Sequence, residues 1–255
     1  MKLVMLGSGT STGVPRIGND WGECDPADPR NRRSRVSIVV ENSGGSRLLV
    51  DTGPDLRQQL LANSIDRVDA VFWTHDHADH CHGIDDLRPL RFGRTAPIPG
   101  FADDHTAHRL LQRFGYVFKG QHGYPSMVDL NTLETLRIHA GFAIGHVTMP
   151  HGPTSSTGFR FEADGKAIGY ATDFSEVTAE MLSLFEGVDI LVSDCLRREP
   201  HPTHASLAMA IEFARRCGAG RTVLTHLDKS MDYRTVSREV PDGVMVGYDG
   251  LELAA

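Results

Sequence analysis

The chain is poor in the features that hold small secreted proteins together or anchor proteins in membranes. Its 255 residues include four cysteines, scattered with no Cys-x-x-Cys pair, so neither a disulfide framework nor a zinc site of cysteines alone is indicated. No segment approaches the roughly 18 uninterrupted apolar residues that cross a bilayer. The apolar run at the N-terminus is too short for a signal peptide. We therefore predict reduced thiols, a cytoplasmic location and no membrane partner.

An excess of positive charge is also missing. The 26 basic and 33 acidic residues give a formal net charge of −7, whereas an extended nucleic-acid footprint needs a basic face. The content of 40% hydrophobic and 23% charged residues is that of an ordinary globular protein. The length favours one large α/β domain over residues 1–255. A small substrate is the favoured partner.

Short apolar strands alternate with helical patterns along the chain. Two helices are predicted, at 54–63 and 205–216. Strands are predicted at 2–6, 36–41, 47–51, 70–73, 143–149, 157–162, 166–171 and 189–193, with a last pair at 222–225 and 244–247 closing the chain. This order predicts two sheets packed together and covered by helices on the outside.

Metal-ligand side chains are abundant in one short segment. The run His75-Asp76-His77-Ala78-Asp79-His80 follows an apolar stretch and Thr74, which looks exposed. Packing does not require three imidazoles and two carboxylates in six residues, and this ligand set suits zinc, manganese or iron. The spacing does not match one helical face, so we predict a loop leaving a strand end. His75 and His77 would face one ion, and Asp79 and His80 a second.

Further ligands are expected at the ends of later strands. His151, Asp173 and His226 each stand immediately beyond a predicted strand, where a sheet would deliver them to a common edge. Together with the histidine cluster they predict a dinuclear metallohydrolase.

These motifs resemble those of the metallo-β-lactamase superfamily. The cluster from Thr74 to His80, the preceding Val50-Asp51-Thr52-Gly53 and the three spaced ligands match five motifs in order over nearly the whole chain. The resemblance implies an αββα sandwich that holds two divalent metal ions, zinc or manganese, and in which Asp51 orients a ligand. By the same resemblance, the first ion is bound by His75, His77 and His151, the second by Asp79, His80 and His226, and both by Asp173.

Flanking segments narrow the resemblance to cyclic-phosphate phosphodiesterases. Residues 6–15, 202–207 and 246–250 are similar to those of phosphoribosyl 1,2-cyclic phosphate phosphodiesterase of the carbon-phosphorus lyase pathway, itself similar to tRNA 3′-processing endonucleases. That family holds a structural zinc on three N-terminal cysteines and a late histidine. This chain offers Cys24 alone and Lys229, so we expect that zinc to be absent. The resemblance also makes a homodimer an expectation.

The predicted reaction is hydrolysis of a small phosphodiester, cyclic or nucleotide-like. Two divalent ions lower the pKa of a shared water from ~15.7 toward ~7 and absorb charge on the phosphate oxygens. The leaving oxygen then needs a proton. His204 precedes a helix and sits in no ligand motif, so we predict it as the general acid. Asp79, also a ligand, and His204 are the predicted catalytic residues.

Other functions remain open. Acyl hydrolysis of a thioester or lactam uses the same metals, and His204 is the residue that separates it from phosphodiester hydrolysis. A tRNA 3′-processing endonuclease would need a basic or Gly/Pro-rich insertion that the sequence does not offer. A metal-binding protein without catalysis would lack some of the ligands.

Two basic or glycine-rich segments and several histidines carry weaker hypotheses. The stretch from Arg30 to Arg35 is expected to be a solvated face, with Arg33 or Arg35 as a candidate contact for a terminal phosphate. Residues 7–13 lack phosphate-loop spacing and are expected to turn tightly beside the site. The remaining histidines are predicted to be surface or packing residues: His82, which could line the site, and His105, His108, His122, His139, His146 and His201.

Overall fold

The computed structural model describes residues 1–121 and 123–255, which form two seven-stranded sheets. The first sheet contains, in spatial order, β14 (Glu252–Ala254), β1 (Lys2–Gly7), β2 (Ser37–Glu41), β3 (Arg47–Val50), β4 (Ala70–Phe72), β5 (Ile98–Ala102) and β6 (Val128–Thr132). The second contains β13 (Val244–Val246), β12 (Arg221–Thr225), β11 (Ile190–Asp194), β10 (Lys166–Ala171), β9 (Thr154–Ala163), β8 (Phe142–His151) and β7 (Ile138–His139).

The inner faces of the two sheets share one apolar core. Phe72 of β4 meets Phe159 and Phe161 of β9 with ring centroids 5.4 Å apart in both cases. Period-two alternation sends neighbouring residues of one strand to opposite faces. In β2, Ile38 therefore joins this inner core while Val39 packs on the outer side.

Helices cover the outer faces. They are α1 (Leu56–Ala62), α2 (Ala78–Cys81), α3 (Leu87–Arg91), α4 (Asp104–Lys119), α5 (Ala179–Phe185), α6 (Leu207–Cys217) and α7 (Tyr233–Glu239), with 3₁₀ turns at Pro29–Asn31 and Ile84–Asp86. Leu60 of α1 and Leu110 of α4 pack on the first sheet, and Phe185 of α5 and Phe213 of α6 on the second. The four layers confirm the predicted αββα sandwich. In the described part of the chain, the model contains no helix with the length and apolarity of a membrane span.

Several elements depart from the sequence-based prediction. The predicted strands and helices form, with ends displaced by a few residues, but other elements were not predicted: β5, β6, β7, α2, α3, α4, α5 and α7. The chain is closed by β14, which pairs with β1, so the expectation that 222–225 and 244–247 end the sheet structure is wrong. In β5, Pro99 and Gly100 obscure the strand pattern. A side chain at Gly100 would lie 2.9 Å from Trp73, so the close packing of β5 requires glycine there.

Strand direction brings the predicted ligands to one edge of the sandwich. β3 and β4 are parallel, as are β10, β11 and β12. β8 and β10 are both antiparallel to β9, which lies between them, and so run the same way. The carboxyl ends of these strands carry the polar side chains of the candidate site.

Candidate metal centre

The histidine motif begins where β4 ends. Thr74 is fully buried, so the expectation of an exposed threonine is wrong. Its amide N–H donates to Asp51 Oδ1 at 2.8 Å, and its hydroxyl donates to Asp51 Oδ2 at 2.9 Å. These bonds join the end of β4 to the residue that follows β3.

The motif is half loop and half helix. His75 and His77 lie in the extended segment, as expected for a loop, and His77 is the residue before α2 with φ −65° and ψ 153°. Asp79 and His80 lie within α2, so the prediction of a loop is wrong for this part. The change from extended to helical backbone separates the two pairs of side chains.

Nitrogen atoms of three histidines converge with one carboxylate. His77 Nδ1 lies 2.8 Å from His75 Nε2 and 3.3 Å from His151 Nε2. Asp173 Oδ2 lies 3.8 Å and 3.5 Å from the same two Nε2 atoms. The structure thus brings together the set predicted for a first metal ion.

A second set lies on the other side of Asp173. Asp79 Oδ2 is 3.4 Å from His80 Nε2 and 3.5 Å from His226 Nε2. Asp173 Oδ1 is 3.4 Å from His80 Nε2 and 3.6 Å from His226 Nε2. Because its two oxygens face different sets, Asp173 has the geometry of a bridging ligand.

Three of these strand-end residues adopt left-handed backbone. The φ angles are 65° at Asp51, 59° at Asp173 and 60° at His226. Such conformations are uncommon outside glycine and persist where the surroundings enforce them, often at functional sites. Asp51 and His226 immediately follow a strand of the sandwich, and Asp173 lies two residues past the end of β10.

The donor set fits divalent cations. The Nε2 atoms of His80 and His226 are buried and have no hydrogen-bond partner among the described residues. An unsatisfied buried polar group costs about 1–3 kcal/mol. A cation coordinated by both nitrogens and by the Asp79 and Asp173 carboxylates would satisfy them, and imidazole with carboxylate suits zinc or manganese.

The electrostatics favour a positive charge between the ligands. Burial lowers the pKa of His75 well below its ordinary value, which keeps its lone pair available. Burial alone would also lower the pKa of His80 and His226, but nearby carboxylates, Asp173 foremost, outweigh it. They raise the pKa of His80 well above its ordinary value and that of His226 to about 9.

Asp51 supports the second set from behind. Its Oδ2 accepts a hydrogen bond from His80 Nδ1 at 2.7 Å, and the carboxylate is fully buried. Burial raises the pKa of Asp51, while His80 and Thr74 oppose the rise. The bond holds the proton of His80 on Nδ1 and leaves Nε2 free as a ligand atom.

Asp194 is a residue that the sequence analysis missed. It ends β11, is fully buried, and its Oδ2 lies 3.1 Å from His204 Nδ1. The same oxygen accepts from the backbone N–H of Phe174 at 3.3 Å and of Ala205 at 3.2 Å. Its Oδ1 lies 3.7 Å from His226 Nδ1. A carboxylate at the end of a buried strand, as at Asp51, was the signal that could have identified it.

His204 lies at the edge of the centre. Its ring stacks on His226 with centroids 4.6 Å apart, and its Nδ1 is 3.8 Å from Asp173 Oδ2. Because Nδ1 faces the carboxylates, Nε2 is the nitrogen left to meet a bound molecule. The side chain is 12% exposed.

The other histidines separate into two groups. His201, predicted as a surface or packing residue, is partly buried and packs beside the centre: its ring lies 5.2 Å from that of His204, and its Nδ1 accepts from the Thr203 N–H. His122 lies outside the described residues. The remaining ones belong to none of the ligand groups found in the described part of the chain: His82, His105, His108, His139 and His146.

The basic stretch is only in part the solvated face that was expected, since Arg32 is exposed but Arg33 is not. Arg33 is buried, and its guanidinium donates to the carbonyls of Asp228 at 3.3 Å and Met231 at 2.7 Å. A substrate contact by Arg33 is therefore wrong, since these bonds fix the segment that follows His226. Arg35 forms an ion pair with Asp55 at 2.8 Å. A contact between Arg35 and a terminal phosphate stays a prediction.

The region expected to lack the structural zinc is held by other contacts. Cys24 is buried, and its Sγ lies 3.8 Å from Arg33 Nη1. Lys229 forms an ion pair with Asp20 and its carbonyl accepts from the Glu23 N–H. A guanidinium beside the thiol disfavours a cation there.

The glycine-rich N-terminal segment lies beside the second set of ligands. The amide N–H of Thr10 donates to Leu227 O at 3.1 Å, and that of Leu227 donates to Ser8 O at 2.9 Å. These bonds attach the segment to the residue after His226, in agreement with the expected turn beside the site.

The fold agrees with comparisons to known proteins. The family model of the beta-lactamase superfamily domain matches residues 46–227. The chain belongs to the beta-lactamase superfamily. Its fold is the metallo-β-lactamase fold, and the resemblance found in its motifs is confirmed.

The relatives to which the chain is similar carry the names of different activities. The chain is similar to the crystal structure of a new diphosphatase from the PhnP family, with 37% identity and a TM-score of 0.89 over 99% of this chain and 96% of that one. It is 29% identical over 231 residues to ribonuclease Z of Mycobacterium sp. (strain KMS), covering 78% of this chain and 79% of that protein. An octanoyltransferase of Porphyromonas gingivalis is 32% identical over 259 residues, which cover 99% of this chain and 51% of that protein. The chain thus spans about half the length of that superfamily relative.

Proposed function

We propose that the protein hydrolyses a small phosphodiester, cyclic or nucleotide-like, with two bound divalent ions. The observation that carries this proposal is the position of His204. Asp194 holds its ring beside Asp173, and its Nε2 atom is left to meet a substrate. The similarity of the chain to a diphosphatase and to ribonuclease Z supports a reaction at a phosphorus atom.

The ligand sets described above would hold the ions, zinc or manganese. The first would be bound by His75, His77 and His151, the second by Asp79, His80 and His226, and both by Asp173. When bound, such ions lower the pKa of a coordinated water and neutralise charge on phosphate oxygens.

The proposed role of His204 is to protonate the leaving oxygen. As water attacks phosphorus, the bond from phosphorus to the leaving oxygen breaks, and that oxygen takes the proton of His204 Nε2. The Asp194 carboxylate accepts from Nδ1 and keeps the ring in the required orientation. Without this proton the leaving group would depart as an alkoxide.

We assign the second catalytic role to Asp79. Its side chain is 11% exposed, compared with 2% for Asp173 and 0% for Asp51, so it is the most accessible of these three carboxylates. Asp79 would bind the second ion and orient the attacking water at the open side of the site.

Two alternative functions, acyl hydrolysis and tRNA processing, are possible outcomes of the test. Acyl hydrolysis is favoured by the similarity to an octanoyltransferase, although the chain spans only 51% of that protein. Processing of tRNA is favoured by the similarity to ribonuclease Z, but a net charge of −7 opposes binding of a long polyanion. We further propose a small phosphorylated molecule as the partner, and a homodimer as the assembly.

The test compares substrates on protein whose metal content has been measured. Bis(p-nitrophenyl) phosphate, a 1,2-cyclic ribose phosphate, S-lactoylglutathione and a chromogenic lactam are offered to enzyme loaded with zinc or manganese. We expect cleavage of the phosphodiesters to rise as occupancy approaches two ions. Acyl cleavage alone, or no turnover with both ions bound, would overturn the proposal.

Substitution of His204 then tests the general acid. His204→Ala should retain both ions and lose turnover, with the largest loss for substrates whose leaving group is a poor one. His105→Ala, an exposed histidine on α4, is the matched control and should behave like the natural protein. Loss of metal from His204→Ala would show that this residue is a ligand instead.

A further inference from the structure

The segment between β11 and α6 forms a loop whose two ends are bonded together. The amide N–H of Leu196 donates to Ala205 O at 3.0 Å, and that of Leu207 donates to Arg197 O at 2.9 Å. These two bonds close the base of the loop that contains residues 198–204. The tip of this loop, from His201 to His204, lies against the metal centre.

The loop contacts a predicted ligand of the first metal ion through its backbone. His151 Nδ1 lies 2.7 Å from the carbonyl oxygen of Thr203. A carbonyl can only accept, so Nδ1 carries the proton and Nε2 keeps the lone pair that faces His77 and Asp173. The approach is close, since a side chain at Gly152 would lie 2.4 Å from Thr203 Cγ2.

The backbone N–H of the same residue, Thr203, is held by His201. His201 Nδ1 lies 3.3 Å from the amide nitrogen of Thr203 and 3.1 Å from its hydroxyl. An amide N–H can only donate, so Nδ1 is the acceptor. Contacts thus run from His201 to the Thr203 backbone, and from its carbonyl to His151.

We propose that His201 is a positioning residue that fixes the Thr203 backbone and thereby aims His151 at the first metal ion. His204 follows Thr203 directly, so the same bond also holds the proposed general acid in place. This inference rests on the proposed binding of two ions, and it requires only an acceptor atom at the position of Nδ1. It does not require the ring of His201 to touch the substrate.

This requirement makes asparagine a replacement that should work. The Oδ1 atom of asparagine and the Nδ1 atom of histidine are both bonded to Cγ, and asparagine commonly accepts a hydrogen bond from the amide two residues ahead. Leucine has nearly the same shape as asparagine but no acceptor. His201→Asn and His201→Leu therefore differ chiefly in the interaction on which the proposal depends.

The primary measurement is metal affinity, determined by competition with a chromogenic chelator using manganese or zinc alone. We expect His201→Leu to weaken one of the two binding steps by about 10- to 100-fold, the usual effect of removing a partner that supports a ligand. His201→Asn should stay within about threefold of the natural protein. Since no substrate is needed, this result stands even if the proposed phosphodiesterase activity fails.

Turnover separates positioning from substrate contact. With a substrate that the natural protein cleaves, His201→Leu should lose kcat, and His201→Asn should retain most of it. Equal loss of kcat in both variants with unchanged metal affinity would overturn the proposal and make His201 a substrate contact. Unchanged affinity and kcat in both variants would also overturn it.

Two further variants serve as controls for this comparison. His201→Ala also lacks an acceptor but is smaller, so it replaces leucine if thermal unfolding shows that leucine does not fit. His105→Leu removes an exposed histidine from α4 and should leave both binding steps unchanged.

Discussion

Replacement of Asp51 by asparagine should weaken binding of the second metal ion while leaving the fold intact. The two side chains have nearly the same shape, and asparagine tolerates the left-handed φ of 65° at this position. The carboxylate accepts on both oxygens, from Thr74 N at 2.8 Å and from His80 Nδ1 at 2.7 Å. An amide offers one acceptor and one donor, so one of these partners must face an NH₂ group.

The magnitude follows from the bond that is lost. A hydrogen bond to a charged group contributes about 1.5–3 kcal/mol, and about 1.4 kcal/mol corresponds to tenfold in a binding constant. If the NH₂ group faces His80, the imidazole must move its proton to Nε2, which is the atom predicted to bind metal. We therefore expect affinity at the second site of Asp51→Asn to fall by about 10- to 150-fold.

The assay is a chelator competition with manganese or zinc, combined with metal counting and thermal unfolding of the metal-free protein. Asp232→Asn is the matched control, because Asp232 is a similarly buried carboxylate that caps α7 and bonds to Asn31. It should change stability without changing metal affinity. A folded Asp51→Asn protein that binds both ions within threefold of the natural affinity would refute the reasoning.

Three further predictions follow from buried charged groups. Asp194→Asn should lower kcat by about 10- to 100-fold while changing KM little, because the carboxylate that orients His204 becomes an amide; steady-state kinetics on metal-saturated enzyme tests this, and an unchanged kcat would remove Asp194 from the mechanism. Burial alone would raise the pKa of Asp232, but the N–H groups of Thr235 and Asp25 outweigh it and lower the pKa to about 2 from 3.8. This carboxylate therefore contributes about 2 kcal/mol to stability above pH 3.8, and the contribution is lost as pH falls through 2. In urea unfolding of metal-free protein, Asp232→Asn should be less stable at pH 7 and equally stable near pH 2; a pH-independent difference would contradict this. Arg33→Gln should lower the free energy of unfolding by about 3 kcal/mol through its lost bonds to two carbonyls, and a raised KM with unchanged stability would instead make Arg33 a substrate contact.

The sequence by itself predicted the elements whose signals are local. Apolar runs such as 166–171 read directly as strands, and the residues that follow them, His151, Asp173 and His226, stand out as ligand types. Strands that point the same way deliver their ends to one edge, so residue type and position predicted that these side chains share an edge of the sheet. The order of the elements predicted two packed sheets covered by helices, whereas the division of the ligands into two sets came from the family resemblance.

Tertiary structure decided everything that depends on a partner far along the chain. β14 becomes a strand because β1, at the opposite end of the sequence, offers it hydrogen bonds. Asp194 has a local signal as a carboxylate at a strand end, but its role and that of His201 depend on contacts with His204 and with the Thr203 backbone, which no local pattern predicts. Burial of Arg33 depends on carbonyls from the segment after His226, which accept hydrogen bonds from its two Nη atoms. The local sequence pattern cannot predict such contacts, because the free energy that maintains them comes from packing between segments remote in sequence.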